Sequence, residues 1–472
     1  MTDLIEQRAV DLVDGLRGGR LSPHDLLDAL EARIASVEPA VNALPTLCFE
    51  RARSSADALL KRPPEERGLL GGLPVPIKDL DQVEGVRTTF GSKIYADHVS
   101  PHTDIPVKRL EAEGAIIYAK SNTPEFGSGA NTLNDVLGAT RNPWDTRMSA
   151  AGSSGGAAAA LASGTAWLAQ GSDNAGSLRS PASFCGVVGL RPSPGRVALD
   201  PSENPYQTHA VLGPMARNVE DVALLFDAMC GWHPDDPLSL PKPQTPFLDL
   251  ARRRNRPVRV AFSPDLGITP VDAEVAAVCK KAAESLQAMG VVVEDAHPDF
   301  TGVHEAYQVL RGFDYAVGLG ELLKTHRQDM RAEVIGNIEK GLGLSTDDVI
   351  KATRERAAIR NRVMRFMDDY DLILCPTTIV PPFPVEQHYV RNCNGVAFDT
   401  YIDWLAIVYA ITFVSLPALS LPCGFTATGL PVGLQMVGRP RGEGDLLGAA
   451  LLLEDALNLK LAPILPREGG AV

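Results

Sequence analysis

The sequence predicts an α/β fold: a single large domain over residues 1–472, with a mixed, mostly parallel central sheet covered by helices. Three observations carry this expectation. From about residue 70, short apolar runs alternate with helical periodicities, the pattern of a sheet layered with helices. Two long stretches carry no charge, residues 148–172 (25 residues) and 404–438 (35 residues), as segments buried in a large core do. No linker, internal repeat or low-complexity tail marks a domain boundary.

The elements follow in order. Leu4, Ile5, Ala9, Leu12, Val13 and Leu16 recur with a 3.6-residue period, so a helix opens the chain and stops at Gly18-Gly19. Ser22-Pro23-His24-Asp25 supplies an N-cap, a proline at the first helical position and an acidic first turn for a second helix, to about residue 37. A third helix over 50–60 is stopped by Pro63-Pro64. Beyond it, 75–77 is a short apolar run, 107–113 a helix and 115–119 a strand. Residues 157–162 read as helix, 166–169 and 187–190 as strands, and 219–229 as helix. A strand over 258–262, a helix over 273–289 and a strand over 291–293 continue the alternation. Residues 300–370 are mainly helical, and Ser345-Thr346-Asp347-Asp348 is a capping box opening the helix that ends near 368. A strand over 372–374 leads into a Pro- and Gly-rich loop, 376–400, long enough to fold over a site. A strand over 432–437 and a helix over 444–457 complete the pattern.

Composition excludes several function classes. The 45 basic side chains face 58 acidic ones, a net charge of −13, so the basic footprint of a nucleic-acid binder is missing. The uncharged runs are not membrane spans: the first is rich in Gly and Ser, and Pro417, Pro422 and Pro431 break the second. The opening residues lack the basic and apolar regions of a signal peptide. Seven cysteines without a CxxC pair point to a reducing, cytoplasmic setting rather than a disulfide framework or zinc ribbon. His98 and His102 flank Ser100-Pro101 in a loop, so no metal site is expected there, and no phosphate-binding loop motif occurs. No cofactor is expected.

Chemistry concentrates in two small-residue loops. Gly152-Ser153-Ser154-Gly155-Gly156 is followed by Gly171-Ser172-Asp173-Asn174-Ala175-Gly176-Ser177-Leu178-Arg179. An isolated glycine run is usually a tight turn. Two such loops with a strand candidate between them can lie side by side, their N–H groups forming an anion-binding nest, and in an amide hydrolase that anion is the tetrahedral oxyanion. The first loop formally matches the nucleophile elbow G-x-S-x-G with Ser154 at its centre. That elbow needs a buried strand before it, which 145–149 does not resemble, and a His well beyond His388. Ser239-Leu240-Pro241-Lys242 matches S-x-x-K, but its prolines deny the helix that would bring Ser and Lys together. The remaining base candidate is Lys78, in Gly72-Leu73-Pro74-Val75-Pro76-Ile77-Lys78-Asp79. Most lysines are exposed, yet this one follows an apolar run. Desolvation lowers a buried lysine's pKa and allows it to act as a neutral base toward a serine.

Together these segments resemble the amidase signature family. The resemblance extends over roughly residues 5–460; its core also includes Phe184-Cys185-Gly186-Val187-Val188-Gly189-Leu190-Arg191-Pro192, with supporting stretches at Lys120-Ser121-Asn122-Thr123-Pro124-Glu125-Phe126, Gly138-Ala139-Thr140-Arg141-Asn142-Pro143-Trp144, Gly213-Pro214-Met215-Ala216-Arg217 and Gly429-Leu430-Pro431-Val432-Gly433-Leu434-Gln435. It implies a catalytic core over 70–195 and a Ser–cis-Ser–Lys triad: Ser177 as acylated nucleophile, Ser153 as proton relay behind a cis peptide bond, Lys78 as base. It implies an oxyanion hole from the N–H groups of Asn174, Ala175, Gly176 and Ser177. Asp173 and Arg179 would support that loop, and Gly127 and Ser128, with Ser153, would meet the substrate, a small-molecule amide. Homodimeric assembly is also implied.

The family usually carries Gly-Gly before the nucleophile, where this chain has Ala175-Gly176. Ala175 keeps an N–H for the hole only with negative φ, and it adds a methyl near the acyl group. A similar Ala-Gly-Ser occurs in the branch that resembles nylon-oligomer (6-aminohexanoate cyclic dimer) hydrolases. Segments 200–210 and 376–410 are expected to line the substrate, through Tyr206, His209, Phe383, His388, Tyr389, Cys393, Phe398, Tyr401 and Trp404. The expected activity is hydrolysis of a carboxylic amide C–N bond. Alternatives are the glutaminase subunit of a tRNA-dependent amidotransferase, hydrolysis of a carbamate, hydrazide or anilide, and an inert scaffold. The amidotransferase alternative is opposed by Val197-Ala198-Leu199-Asp200-Pro201, where a Ser-Arg-Tyr-Gly run would be expected.

Overall fold

The computed structural model describes residues 2–459 and 461–468. One eight-stranded sheet organises them. From edge to edge its strands are Val292–Asp295, Arg259–Phe262, Leu372–Pro376, Pro431–Val437, Ala418–Phe425, Val188–Arg191, Val211–Ala216 and Leu168–Asp173. The sheet is mixed, as predicted, but mostly antiparallel rather than mostly parallel. Arg259–Phe262 runs parallel to both of its neighbours, and the remaining pairings are antiparallel.

Connectivity explains the difference. Helix Ala273–Ala288 carries the chain from Arg259–Phe262 to Val292–Asp295, and three helices precede Leu372–Pro376. Long helical crossovers return a strand in the same direction. Ala418–Phe425 and Pro431–Val437 are joined by a tight turn in which Thr426 N–H bonds the Leu430 carbonyl at 2.9 Å, and a hairpin is antiparallel by necessity. Both strands fall in the second uncharged run, where the sequence marks only one. Val211–Ala216 inserts between two strands that share a direction and runs against both.

The first uncharged run is interior throughout: every residue from 149 to 171 is buried. Its helix, Gly155–Ser163, is buried on all sides, which an uncharged face all round requires. Residues 145–149 do form a strand, against the reading from sequence. Asp145–Ser149 pairs with Arg141–Asn142 in a two-stranded ribbon outside the central sheet, so it still does not supply the strand of a nucleophile elbow.

A smaller three-stranded sheet holds Thr46–Leu47, Ile116–Ser121 and Pro74–Lys78. Pro74–Lys78 is fully buried and runs parallel to Ile116–Ser121. The Lys78 N–H donates to the Gln170 side-chain oxygen at 3.0 Å, which ties this strand to the edge of the central sheet.

Residues 303–367 are mainly helical, with the expected capping box at Ser345 opening Thr346–Met367. Helix Val303–His326 crosses Ala332–Leu342 where Gly312 meets Gly341. A Cβ on Gly341 would lie 1.9 Å from the Gly312 carbonyl oxygen, so the crossing needs glycine. Beyond it lies a separate small core of Leu323, Met330, Val334 and Ile338, against which Phe126, Tyr315 and Leu319 pack. Gly341→Ala is expected to force the helices apart and cost about 1–3 kcal/mol, seen as a lower urea midpoint. An unchanged midpoint would show that the crossing yields freely.

Candidate active site

Lys78 ends its strand with the side chain completely buried, 0% exposed. Its Nζ lies 2.7 Å from Ser153 Oγ, 2.9 Å from Ser154 Oγ and 2.9 Å from Ser172 Oγ. No carboxylate bonds this amine among the described residues. Burial pushes its pKa down to about 7, against the opposing pull of Asp81 and Asp173. The Gly152–Ser153 peptide bond is cis. Ser154 also contacts the Ser172 backbone: its hydroxyl donates to the Ser172 carbonyl at 3.2 Å and accepts the Ser172 N–H at 3.3 Å. The sequence offers Ser154 only as an elbow nucleophile and gives no sign of Ser172; both are ligands of the lysine.

The second loop is anchored by Asp173, which is fully buried. Arg179 grips it with two hydrogen bonds, Nε to Oδ2 at 3.0 Å and a terminal nitrogen to Oδ1 at 2.9 Å. Arg191 adds a contact to Oδ1 at 3.1 Å and one to the Asp173 carbonyl at 2.6 Å. Burial alone would raise the Asp173 carboxyl; the two guanidiniums outweigh it and hold the group well below the usual carboxylate range. Asp173 also accepts the Gly176 N–H at 3.0 Å and the Leu178 N–H at 3.1 Å. The Gly176 N–H is therefore engaged within the loop. Asn174, Ala175 and Ser177 keep N–H groups with no hydrogen-bond partner among the described residues. Ala175 is absent from the residues with positive φ, the condition set for its N–H to serve. Gly176 has φ +100°, and a Cβ there would meet Val408 Cγ2 at 2.5 Å, so glycine is obligatory. Ser177 is half-buried, and its carbonyl accepts the Ser154 N–H at 3.2 Å, which brings the two loops together. Its hydroxyl takes no partner among the described residues, so the Ser153–Ser177 contact is not closed here. Gly127, with φ +70°, faces the same point: a Cβ on it would stand 3.5 Å from Ser153 Oγ.

A family model described as Amidase matches residues 25–447 of the chain. The chain belongs to the amidase family. An acylamidase of Rhodococcus erythropolis is 35% identical over 462 residues, covering 96% of this chain and 94% of that protein. A glutamyl-tRNA(Gln) amidotransferase component of Halothermothrix orenii is 31% identical, covering 95% and 97%. Among solved structures, a 6-aminohexanoate cyclic dimer hydrolase complexed with substrate superposes with a TM-score of 0.87 at 28% identity, covering 96% and 98%. That likeness agrees with the Ala-Gly-Ser run before Leu178.

In this amidase a cleft of about 390 Å³, open to solvent, reaches Asn174 of the second loop. Leu80, Phe90, Phe126 and Leu319 line it with apolar surface, and Glu203 and Asp314 are its charged residues. Segment 200–210 lines it through Ser202, Glu203, Asn204, Gln207 and Ala210, not through the expected Tyr206, which is exposed, or His209, which is buried. Segment 376–410 does not line this cleft. Phe383 and Trp404 interlock with Phe184 in the core, at ring distances of 5.7 and 6.5 Å from it, because large apolar rings in that loop gain more by burial than by solvent contact. His388, Tyr389 and Tyr401 line a smaller recess behind Ser128. Helix Val303–His326 lines the larger cleft through Asp314, Tyr315, Gly318 and Leu319. Its Tyr315 bonds the Ser128 hydroxyl at 2.5 Å, and its Asp314 clamps the 200–210 segment through Asn204 at 2.9 Å and His209 at 2.7 Å. Helical periodicity locates such a helix but does not show that its polar side faces a cleft. No helix among the described residues is long and apolar enough to cross a membrane.

Removing the Asp173 charge leaves Arg179 and Arg191 buried without their counter-ion. Asp173→Asn is expected to cost about 3–5 kcal/mol of stability, measured by urea denaturation. A loss under about 1 kcal/mol would show that the guanidiniums find other partners.

Proposed function

We propose that this amidase hydrolyses a carboxylic amide C–N bond through an acyl-enzyme on Ser177, with Ser153 as relay and Lys78 as base. The observation that carries this reading is the set of three serine hydroxyls around one buried amine. A neutral amine has two N–H donors and one lone pair. Ser154 has its own hydrogen committed to the Ser172 carbonyl, so toward Lys78 it accepts. With Ser172 as the second acceptor, the lone pair is left for the Ser153 hydroxyl. Three hydroxyl partners fit either protonation state, and it is burial that lowers the proton affinity toward the free base.

In the first step Ser177 Oγ attacks the amide carbonyl while its proton passes through Ser153 to Lys78. The carbonyl oxygen gains charge opposite the free N–H groups of Asn174, Ala175 and Ser177. Gly176 is withdrawn from this role, since Asp173 holds its N–H, and it acts instead by giving the loop its turn. The relay then returns the proton to the departing nitrogen. Water repeats the sequence and releases the acid. Gly127 and Ser128 border the acyl position, and Tyr315 fixes the Ser128 hydroxyl. The carboxylates Glu203 and Asp314 at the cleft oppose the α-carboxylate of free glutamine, which favours a neutral acyl amide over the amidotransferase reaction. All seven cysteines are free, which supports a cytoplasmic setting. A homodimer is the assembly this reading carries.

Ser177→Ala is expected to abolish turnover of amides and anilides and to lose fluorophosphonate labelling, read by mass spectrometry. Lys78→Met is expected to lower kcat/KM about 10³-fold. Near-normal turnover by the Ser177 variant would sink the assignment. Because the base must be unprotonated, activity should fall as pH drops through about 7, the value to which burial brings Lys78. An acidic limb near the ordinary lysine range would contradict a desolvated base.

A further inference from the structure

One buried titratable group beside the base has no part in that scheme. Asp81 sits three residues beyond Lys78, and its N–H donates to the Lys78 carbonyl at 3.1 Å. Gln170 holds its carboxylate, Nε2 to Oδ2 at 3.0 Å, while the same amide's oxygen accepts the Lys78 N–H at 3.0 Å. Gln170 is fully buried, so this one side chain bridges the acid and the backbone of the base inside the core.

The charges facing this pair come from every neighbouring element. Lys120, on strand Ile116–Ser121, donates to the Asp81 carbonyl at 2.5 Å and to Thr88 Oγ1 at 3.0 Å, and lies 3.5 Å from Asp79. Its amine is thus occupied away from the Asp81 carboxylate. Asp104, just before helix Ile105–Ala112 and 3.2 Å from His102, acts on Asp81 as a like charge. Asp173 acts on Lys78 from the central sheet, with Arg179 and Arg191 behind it.

We propose that Asp81, held through Gln170, is a positioning residue that sets the pH at which Lys78 becomes available as a base. This rests on the assignment of Lys78 above. An ionised Asp81 favours the protonated lysine; a neutral Asp81 releases it. Burial, with Asp104 adding to it, raises the Asp81 carboxyl to about 7, so its charge changes in the range where Lys78 titrates. A neutral residue of the same shape removes the attraction, and Lys78 stays unprotonated to lower pH.

The test compares wild type and Asp81→Asn by the rate of fluorophosphonate adduct formation at Ser177 across the neutral range, with turnover of a chromogenic anilide in parallel. The acidic limb of the variant is expected to move to lower pH by on the order of half a unit or more. A limb that stays in place while the rate falls equally at every pH would overturn the proposal and leave Asp81 a purely structural group. If Asp81→Asn does not fold, Gln170→Met serves instead. An unbridged Asp81 is held neutral by burial, so the limb should move the same way, and an unmoved limb overturns the proposal. Wild-type protein that forms no adduct at any pH would instead overturn the reading of Ser177 and Lys78, and this inference with it.

Discussion

Lys78 is an amine kept inside the protein without a carboxylate bonded to it, and much of the surrounding structure follows from that constraint. Desolvating a charged ammonium costs more than hydroxyl contacts return, so the group settles toward its neutral form. Three serine hydroxyls then surround it at 2.7–2.9 Å. Those serines must come from three separate backbone points, at 153, 154 and 172, and only small residues let the two loops close on one atom. The uncharged run is therefore an electrostatic requirement as well as a packing one. A lysine or aspartate within 149–171 would sit in the same interior and shift the titration of Lys78.

The second loop solves a different problem. Some of its N–H groups stay free while the chain around them is held fixed. Asp173 does this by drawing the Gly176 and Leu178 N–H groups inward, which leaves those of Asn174, Ala175 and Ser177 unpaired. Its own charge is balanced by Arg179 and Arg191. Arg179 carries the anchoring further, bonding the Val408 carbonyl and Thr412 on the buried helix Ala406–Phe413. The second uncharged run is thus the backing of the loop. Gly176 presses on Val408 from the other side, so the backbone at 176 and the helix behind it determine each other's position.

How much of this is legible in the sequence depends on range. Lys78, Ser153, Asp173 and Ser177 stand in short motifs; Lys78 and Ser153 meet at 2.7 Å, while the Ser177 hydroxyl takes no partner among the described residues. Capping boxes at Ser22 and Ser345 are likewise local, and the structure forms both. The Asp81–Gln170 contact joins residues 89 positions apart and leaves no periodic trace. Strand direction is not legible, because apolar runs report burial, not which neighbour a strand meets. The aromatic residues of 376–410 suggest pocket lining, yet Phe383 and Trp404 belong to the core, since an apolar ring in a loop carries no mark of which surface will cover it. The fate of the Gly176 N–H is hidden for another reason: a motif names residues, and here one side chain decides which backbone groups remain free.

The division between chemistry and recognition follows the packing. The residues around Lys78 are held in the main core, where a shift of one group moves all the others. The cleft wall made by Tyr315 and Leu319 belongs to helices that pack around their own small cluster of Leu323, Met330, Val334 and Ile338. The two regions meet at the Tyr315–Ser128 hydrogen bond, at the Asp314 clamp on Asn204 and His209, and where Tyr307 stacks on Tyr409 and bonds Asn174. A side chain on the outer wall can therefore change what the cleft accepts without disturbing the amine and its serines. Alterations at Tyr315 cross that boundary, because its hydroxyl fixes Ser128, the neighbour of the Gly127 that faces Ser153. Tyr307 of the same helix is a second link, its hydroxyl donating to the Asn174 side-chain oxygen at 3.1 Å, so two phenols join the wall to the loops.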